Sequence, residues 1–181
     1  MKDKIETERL ILRKPRMEDA EAMYRNWATD LNVTKYLTWN PHESVEVTRS
    51  LLSLWTKEAE DPNVVRYFIT IKGSDEPWGS IDVVKMHDGA PEIGYCLSSQ
   101  KWNQGYMTEA CKALINYLFD IGYKKVIIRA NEDNIGSNRV IQKCGLTFTH
   151  KEHIDKISES KQSPTAKIIT YLHINLHVFL I

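Results

Sequence analysis

Apolar residues along this chain alternate between two periods. Ala20, Met23, Tyr24 and Trp27 fall at i, i+3, i+4 and i+7, the spacing of one helical face, and predict a helix over 18–27. A second helix is predicted over 44–60. Ser44 is its cap, and Val45, Val47, Leu51, Leu52, Leu54 and Trp55 supply its apolar positions. Ahead of both, residues 9–13 read as a short strand that Pro15 ends. The period then shortens to that of strands. Branched and aromatic residues predict strands at 64–71, 78–84 and 92–97, parted by turn-forming stretches at 61–63, 72–77 and 87–91. It lengthens again at Met107, Cys111, Leu114, Leu118 and Ile121, a helix that Gly122 stops. Residues 125–130 predict a further strand. Asn134 caps a helix carrying Val140 and Ile141, which closes at Gly145. Two more strands are expected around 146–154 and 168–179, with a polar loop at 158–165, containing Pro164, expected to be mobile.

The order of these elements predicts the fold class. Three strands in series make an antiparallel half, and the strand–helix–strand unit over 92–130 implies a parallel crossover. The expectation is an α/β protein with a single mixed, mostly antiparallel sheet of about seven strands and helices on both faces. The length of 181 residues suits one domain over 1–181.

Composition narrows the function. Lys plus Arg equals Asp plus Glu at 24 each, and no basic–aromatic ribbon stands out, so nucleic acid is not an expected partner. The charge is unevenly spread. Residues 1–100 carry 13 basic and 17 acidic side chains, whereas 101–143 carry 7 basic and 4 acidic, which is consistent both with an anionic ligand near the latter and with scatter in surface charge. Cys96, Cys111 and Cys144 form no disulfide framework, the start is charged, and no apolar run reaches membrane-spanning length. A cytoplasmic protein with no membrane partner is expected. His150 and His153 lie in no metal-binding helix motif, and His173 and His177 sit in an apolar strand pattern, so no metal is expected.

The chemistry points to residues 101–110. A turn with Gly105 at a helix start presents amides that have no acceptor inside the helix, and the helix dipole adds positive potential there. Pyrophosphate is the usual ligand of such a turn.

Three separated motifs then carry a resemblance. Glu92-Ile93-Gly94-Tyr95 is followed by Trp-x-x-Gly-Tyr-x-Thr-Glu-Ala from Trp102, then by Asn-x-x-Ser-x-Arg-Val-Ile-x-Lys-x-Gly-Leu from Asn134. Together they resemble the GCN5-related N-acetyltransferase (GNAT) superfamily, and within it the Rim-type ribosomal-protein N-acetyltransferase branch. The openings over 6–13 and at Glu18-Asp19-Ala20 are similar to that branch too. The resemblance covers nearly the whole chain. It implies acetyl-coenzyme A as cofactor, with the amides of Asn103, Gln104, Gly105, Tyr106, Met107 and Thr108 holding the pyrophosphate. Leu97 is then expected to pair with the pantetheine arm where neighbouring strands splay, and Asn134 to bond the pantetheine amides. Ser137 matches a position near the sulfur that steadies the leaving thiolate. Asn138 and Lys143 complete the expected cofactor set. The branch also implies a monomer or a homodimer.

The sequence departs from the superfamily pattern in three places. Trp102 and Met107 replace the usual first and last residues of the anion turn, and Met107 brings a bulky side chain to the helix start. Ile141 replaces the tyrosine that in many relatives protonates the thiolate, which leaves Ser137 or water for that role. Acetyl transfer also needs a neutral amine. Glu92 is the expected base by position and Asp82 the second candidate. An α-amine, with a pKa near ~8, needs less help than a lysine-like amine near ~10.4, which favours a protein N-terminus as acceptor. A small amine (polyamine, aminoglycoside or amino acid derivative) and a non-catalytic acyl-coenzyme A-binding module remain open alternatives.

Overall fold

The computed structural model describes residues 2–155 and 165–174, with the side chains of 153–155, 165–167 and 174 left aside. The expected loop at 158–164 and the end of the last expected strand, 175–179, including His177, lie outside the described residues.

The strands are β1 (Lys4–Glu6), β2 (Leu10–Arg13), β3 (Arg66–Ile71), β4 (Pro77–His87), β5 (Ala90–Leu97), β6 (Lys125–Asn131), β7 (Thr147–Asp155) and β8 (Thr165–Ile174). They form one eight-stranded sheet in the order β1-β2-β3-β4-β5-β6-β8-β7. Every neighbouring pair is antiparallel except β5 with β6. The sheet is the expected mixed, mostly antiparallel one. Its extra strand is β1, three residues that pair with β2 through Ile5 opposite Leu12, too short to show a period in the sequence.

The helices are α1 (Ala20–Met23), α2 (Leu31–Thr34), α3 (Val45–Glu58), α4 (Tyr106–Asp120) and α5 (Ile135–Lys143). A 3₁₀ turn over Met17–Asp19 leads into α1, and a π turn over Tyr24–Ala28 follows it, so the helix expected over 18–27 changes its winding twice. Ser44 stands at the N-cap of α3, yet its hydroxyl makes no capping bond to that helix. Gly122 and Gly145 end α4 and α5 in left-handed conformation, at φ 105° and 80°.

Alternation along the strands divides the core in two. On one face Ile69, Ile81, Ile93 and Leu97 pack against Met107, Cys111, Leu114 and Leu118 of α4 and Ile141 of α5. On the other, Phe68 meets Leu52 of α3, and Trp27, whose ring lies edge-on to Phe68 at 5.3 Å. A buried ion pair fixes where the first helical segment leaves β2. Arg13 donates to both Asp19 oxygens at 2.7 and 2.8 Å, and the Arg16 amide donates to Asp19 Oδ2 at 2.7 Å. The fork geometry suits the carboxylate, which compensates both desolvated charges.

The feature that positions the site is a gap in the sheet. β5 and β6 pair only at Glu92 with Ile127 and Ile93 with Ile128. Beyond Ile93 the two parallel strands separate, so residues 94–97 run along an open edge.

Candidate active site

The gap leads to a cavity of about 580 Å³. Its walls are Tyr95–Leu97 at the end of β5, residues 101–103 and 105–108 of the turn and helix start, and the first turns of α5. Residues 32, 33, 36 and 37, in and just after α2, close the remaining side.

The turn leaves a run of backbone donors free. Asn103 at φ 60° and Gly105 at φ 80° are both left-handed and bracket Gln104. Asparagine tolerates this conformation; at 105 a Cβ would also press on Arg9 Nη2 at 3.3 Å, so glycine suits the place on two grounds. Among the described residues, the amides of Asn103, Gln104, Gly105, Tyr106, Met107 and Thr108 find no acceptor; the first amide of this stretch to be taken is Glu109, which donates to the Gly105 carbonyl. Six free donors at a helix N-terminus make a concave, positive site.

Met107 does not block it. Met107 is 6% exposed and packs into the core under the turn, and its amide has no acceptor among the described residues. Trp102 ties the turn to β5. Its indole Nε1 donates to the Leu97 carbonyl at 2.8 Å, and its ring closes part of the cavity wall.

A brace holds the turn from below. The Arg9 amide donates to Glu109 Oε1 at 2.8 Å and the Arg9 Nε to Glu109 Oε2 at 2.7 Å. Arg9 Nη1 reaches the Gln104 carbonyl at 3.0 Å, and the guanidinium lies 4.6 Å from the centre of the Tyr106 ring. Thr7 Oγ1 donates to Glu109 Oε1 at 2.6 Å. Burial works against the Glu109 carboxylate. The Thr7 hydroxyl and the Arg9 amide and guanidinium outweigh it and hold the group below the usual carboxylate range.

Along β5 the backbone directions follow from the pairing. The Ser98 amide donates to the Trp78 carbonyl, so by antiparallel alternation Cys96 turns toward β4 and Tyr95 and Leu97 turn toward the gap. The Leu97 carbonyl is taken by Trp102. Its amide faces the open edge, where a thioester carbonyl or an extended amide chain can be met.

The residues expected on α5 divide. Asn134 caps the helix, accepting from the Ser137 amide at 3.1 Å, and also lines the cavity. Ser137 lines it too, with Oγ 2.8 Å from the Tyr95 hydroxyl. Lys143 lines it as well. Asn138 corrects the expectation of a cofactor contact. Its Nδ2 lies 2.9–3.2 Å from the carbonyls of Asn131, Glu132 and Asn134, and its Oδ1 accepts from the Tyr171 hydroxyl at 3.1 Å. This side chain holds the β6–α5 turn and is absent from the cavity wall. Gln104 is likewise absent from the cavity wall, and its side chain is turned back to donate to the Gln100 carbonyl at 3.2 Å. Ile141 is fully buried in the core.

The two expected bases lie on the other face of the sheet. Glu92 Oε2 is 2.5 Å from His87 Nε2 and 3.8 Å from Arg129 Nη1. Asp82 pairs across strands with Gly94 and meets Arg66 Nε at 3.4 Å. Burial pushes the Asp82 carboxyl up to about 6, against the pull of Arg66. Neither carboxylate lines the cavity; Cys96, on their face two residues beyond Gly94, does.

Tyr95, Lys101 and Arg139 also line the cavity, and sequence reasoning missed them. The alternation Ile93, Tyr95, Leu97 was the available signal for Tyr95. Lys101 and Arg139 add positive charge to that of Lys143, and Lys101 Nζ sits 3.9 Å above the Trp78 ring.

Comparison with known proteins shows the family. Residues 9–147 match the family of the acetyltransferase (GNAT) domain. The chain is 30% identical to an uncharacterized N-acetyltransferase, p20, of Bacillus licheniformis, over 77% of this chain and 83% of that protein. Among solved structures, a GNAT-family acetyltransferase from Bacillus anthracis superposes with a TM-score of 0.79 at 23% identity, over 94% of this chain and 98% of that one. RimL, a ribosomal L7/L12 alpha-N-protein acetyltransferase in complex with coenzyme A, superposes with a TM-score of 0.80 at 21% identity, over 94% and 97%. Sequence and fold thus agree, and the chain belongs to the GNAT family of acetyltransferases as an N-acetyltransferase.

Proposed function

We propose that this protein moves an acetyl group from acetyl-coenzyme A to a primary amine, the α-amine of a protein N-terminus, by direct attack on the thioester. The observation that carries the reading is the row of unpartnered amides from Asn103 to Thr108, opening on a cavity that continues along Leu97 and Tyr95 to Ser137. That is the order of the cofactor's own groups: pyrophosphate, pantetheine, sulfur. Lys101, Arg139 and Lys143 add cations for the remaining phosphate. The coenzyme A complex of RimL, which shares the fold, supports the same ligand. In this reading residues 1–181 act as one catalytic domain.

Acetyl-coenzyme A supplies an activated acyl group. The Leu97 amide polarises its carbonyl, and Asn134 bonds the pantetheine amides with the capacity its cap leaves free. Ser137 donates to the sulfur as the carbon–sulfur bond breaks, a place that Ile141 cannot fill. Preorganised donors of this kind act where charge develops. Glu92, with Asp82 on the same face, takes the proton of an amine that approaches from that face past Cys96, which lines the cavity there. Both carboxylates are tied to cations, so an amine already partly neutral is the better match, and an α-amine near pKa ~8 meets that condition.

A thiol-release assay over free-N-terminus peptides, polyamines and aminoglycosides tests the reading. Turnover is expected with the peptides. Turnover confined to a small amine overturns the acceptor, and saturable coenzyme A binding without thiol release on any amine overturns the transfer.

A further inference from the structure

We propose that Tyr95 is a positioning residue for acetyl transfer, aiming the Ser137 hydroxyl hydrogen into the cavity where the departing sulfur gathers charge. The proposal rests on the role given to Ser137 above and concerns a different residue on a different strand. Tyr95 stands on β5 where that strand borders the gap, packed against the core between the sheet and α4. Its hydroxyl reaches across to α5 and lies 2.8 Å from Ser137 Oγ and 3.3 Å from the Ser137 carbonyl oxygen.

A phenol has one hydrogen to give, so two arrangements compete. If Tyr95 donates to the carbonyl, the Ser137 hydrogen is spent on Tyr95. If Tyr95 donates to Ser137 Oγ, the serine hydrogen is turned away from the tyrosine. The distances favour the second, since 2.8 Å is an ordinary hydroxyl–hydroxyl separation and 3.3 Å is long for an oxygen donor. Among the described residues Ser137 Oγ has no second partner, and Ser137 lines the cavity. The cavity is therefore where its hydrogen goes. Burial raises the phenol pKa well above its ordinary value, which keeps Tyr95 a donor throughout the working range. Ile141, the next residue of this helix face, has no hydrogen to offer.

In the reaction the amine nitrogen bonds to the acyl carbon and the carbonyl pair moves to oxygen. That pair returns, the carbon–sulfur bond breaks, and its electrons stay on sulfur. The ammonium proton leaves to the base. The thiolate is met by the Ser137 hydrogen, held in line by Tyr95, and takes its proton from solvent. Tyr95 keeps its own proton throughout.

A kinetic double-mutant cycle tests this with Tyr95→Phe, Ser137→Ala and the pair. Phenylalanine keeps the ring, so melting temperature and coenzyme A affinity should stay at wild-type values, a pattern a structural role would not give. Ser137→Ala is expected to lower kcat about tenfold, and Tyr95→Phe by a similar factor with KM for acetyl-coenzyme A unchanged. Adding Tyr95→Phe to Ser137→Ala should cost nothing more, because two members of one unit are not additive. A Tyr95→Phe loss of equal size in both backgrounds overturns the proposal. So does full activity of Tyr95→Phe beside a slow Ser137→Ala. Either result leaves the Ser137 reading standing. An undiminished kcat for Ser137→Ala overturns that reading and this proposal together.

Discussion

Arg9 and Glu109, a hundred positions apart in the chain, meet twice: backbone amide to Oε1 at 2.8 Å and Nε to Oε2 at 2.7 Å. The pair joins the segment entering β2 to the first turn of α4, directly beneath the free amides. Arg9 spends a further donor on the Gln104 carbonyl. Glu109→Ala removes the carboxylate that holds Arg9 and loosens the turn. The expected result is a coenzyme A dissociation constant raised about tenfold, some 1.4 kcal/mol, by calorimetric titration, with kcat at saturation retained. An unchanged dissociation constant would show that the turn does not depend on this brace.

Gly105 makes a second test of the same turn. At φ 80°, with a Cβ set to press on Arg9 Nη2, alanine brings left-handed strain of about 1–2 kcal/mol. Gly105→Ala should therefore unfold at lower urea and bind coenzyme A more weakly. If both values stay at wild type, the left-handed start of α4 is not what shapes the anion site.

Met107 should behave in the opposite way. Its side chain belongs to the core and its amide has no acceptor among the described residues. Met107→Ala opens a hole expected to cost about 2–5 kcal/mol of stability. Coenzyme A affinity at a temperature where the variant is folded should be unchanged. A large loss of affinity with little loss of stability would place the side chain, and not the amide, at the ligand.

Asp82 links the stability of the sheet to pH. Its carboxyl is pushed from an ordinary 3.8 up to about 6, by burial first, with Glu58 adding to the shift and Arg66 opposing it. Between those two values Asp82 binds more protons in the folded protein than in the unfolded chain, so its own contribution to stability falls as pH rises through that window and is flat above it. Asp82→Asn should remove this contribution and gain about 1–3 kcal/mol at pH near ~8 relative to wild type. Urea midpoints of both proteins across the range check it; a difference between variant and wild type that stays constant from pH ~4 to ~8 would contradict the burial argument.

Much of this was legible in the sequence, for identifiable reasons. Helix periods at Met107–Ile121 and turn residues at Gly122 and Gly145 are local signals, and the structure follows them. The antiparallel half and the parallel crossover could be reasoned from the element order, whereas the place of β8 between β6 and β7 could not. What escaped was set by tertiary geometry. β1 is too short for a pattern, the Arg9–Glu109 brace spans the chain, and whether Asn138 faces a ligand or its own loop depends on carbonyls at 131, 132 and 134. Met107 looked obstructive because a residue type was read without its direction. Tyr95 was hidden because alternation names a face but not what lies across it.

The most direct measurement is to incubate the protein with acetyl-coenzyme A and a peptide carrying both a free α-amine and an internal lysine, and to locate the acetyl group by tandem mass spectrometry. The account predicts a single acetyl group on the α-amine, formed in step with thiol release and slowed by Ser137→Ala. An acetyl group on the lysine alone, or a peptide left unmodified while coenzyme A binds, would contradict it.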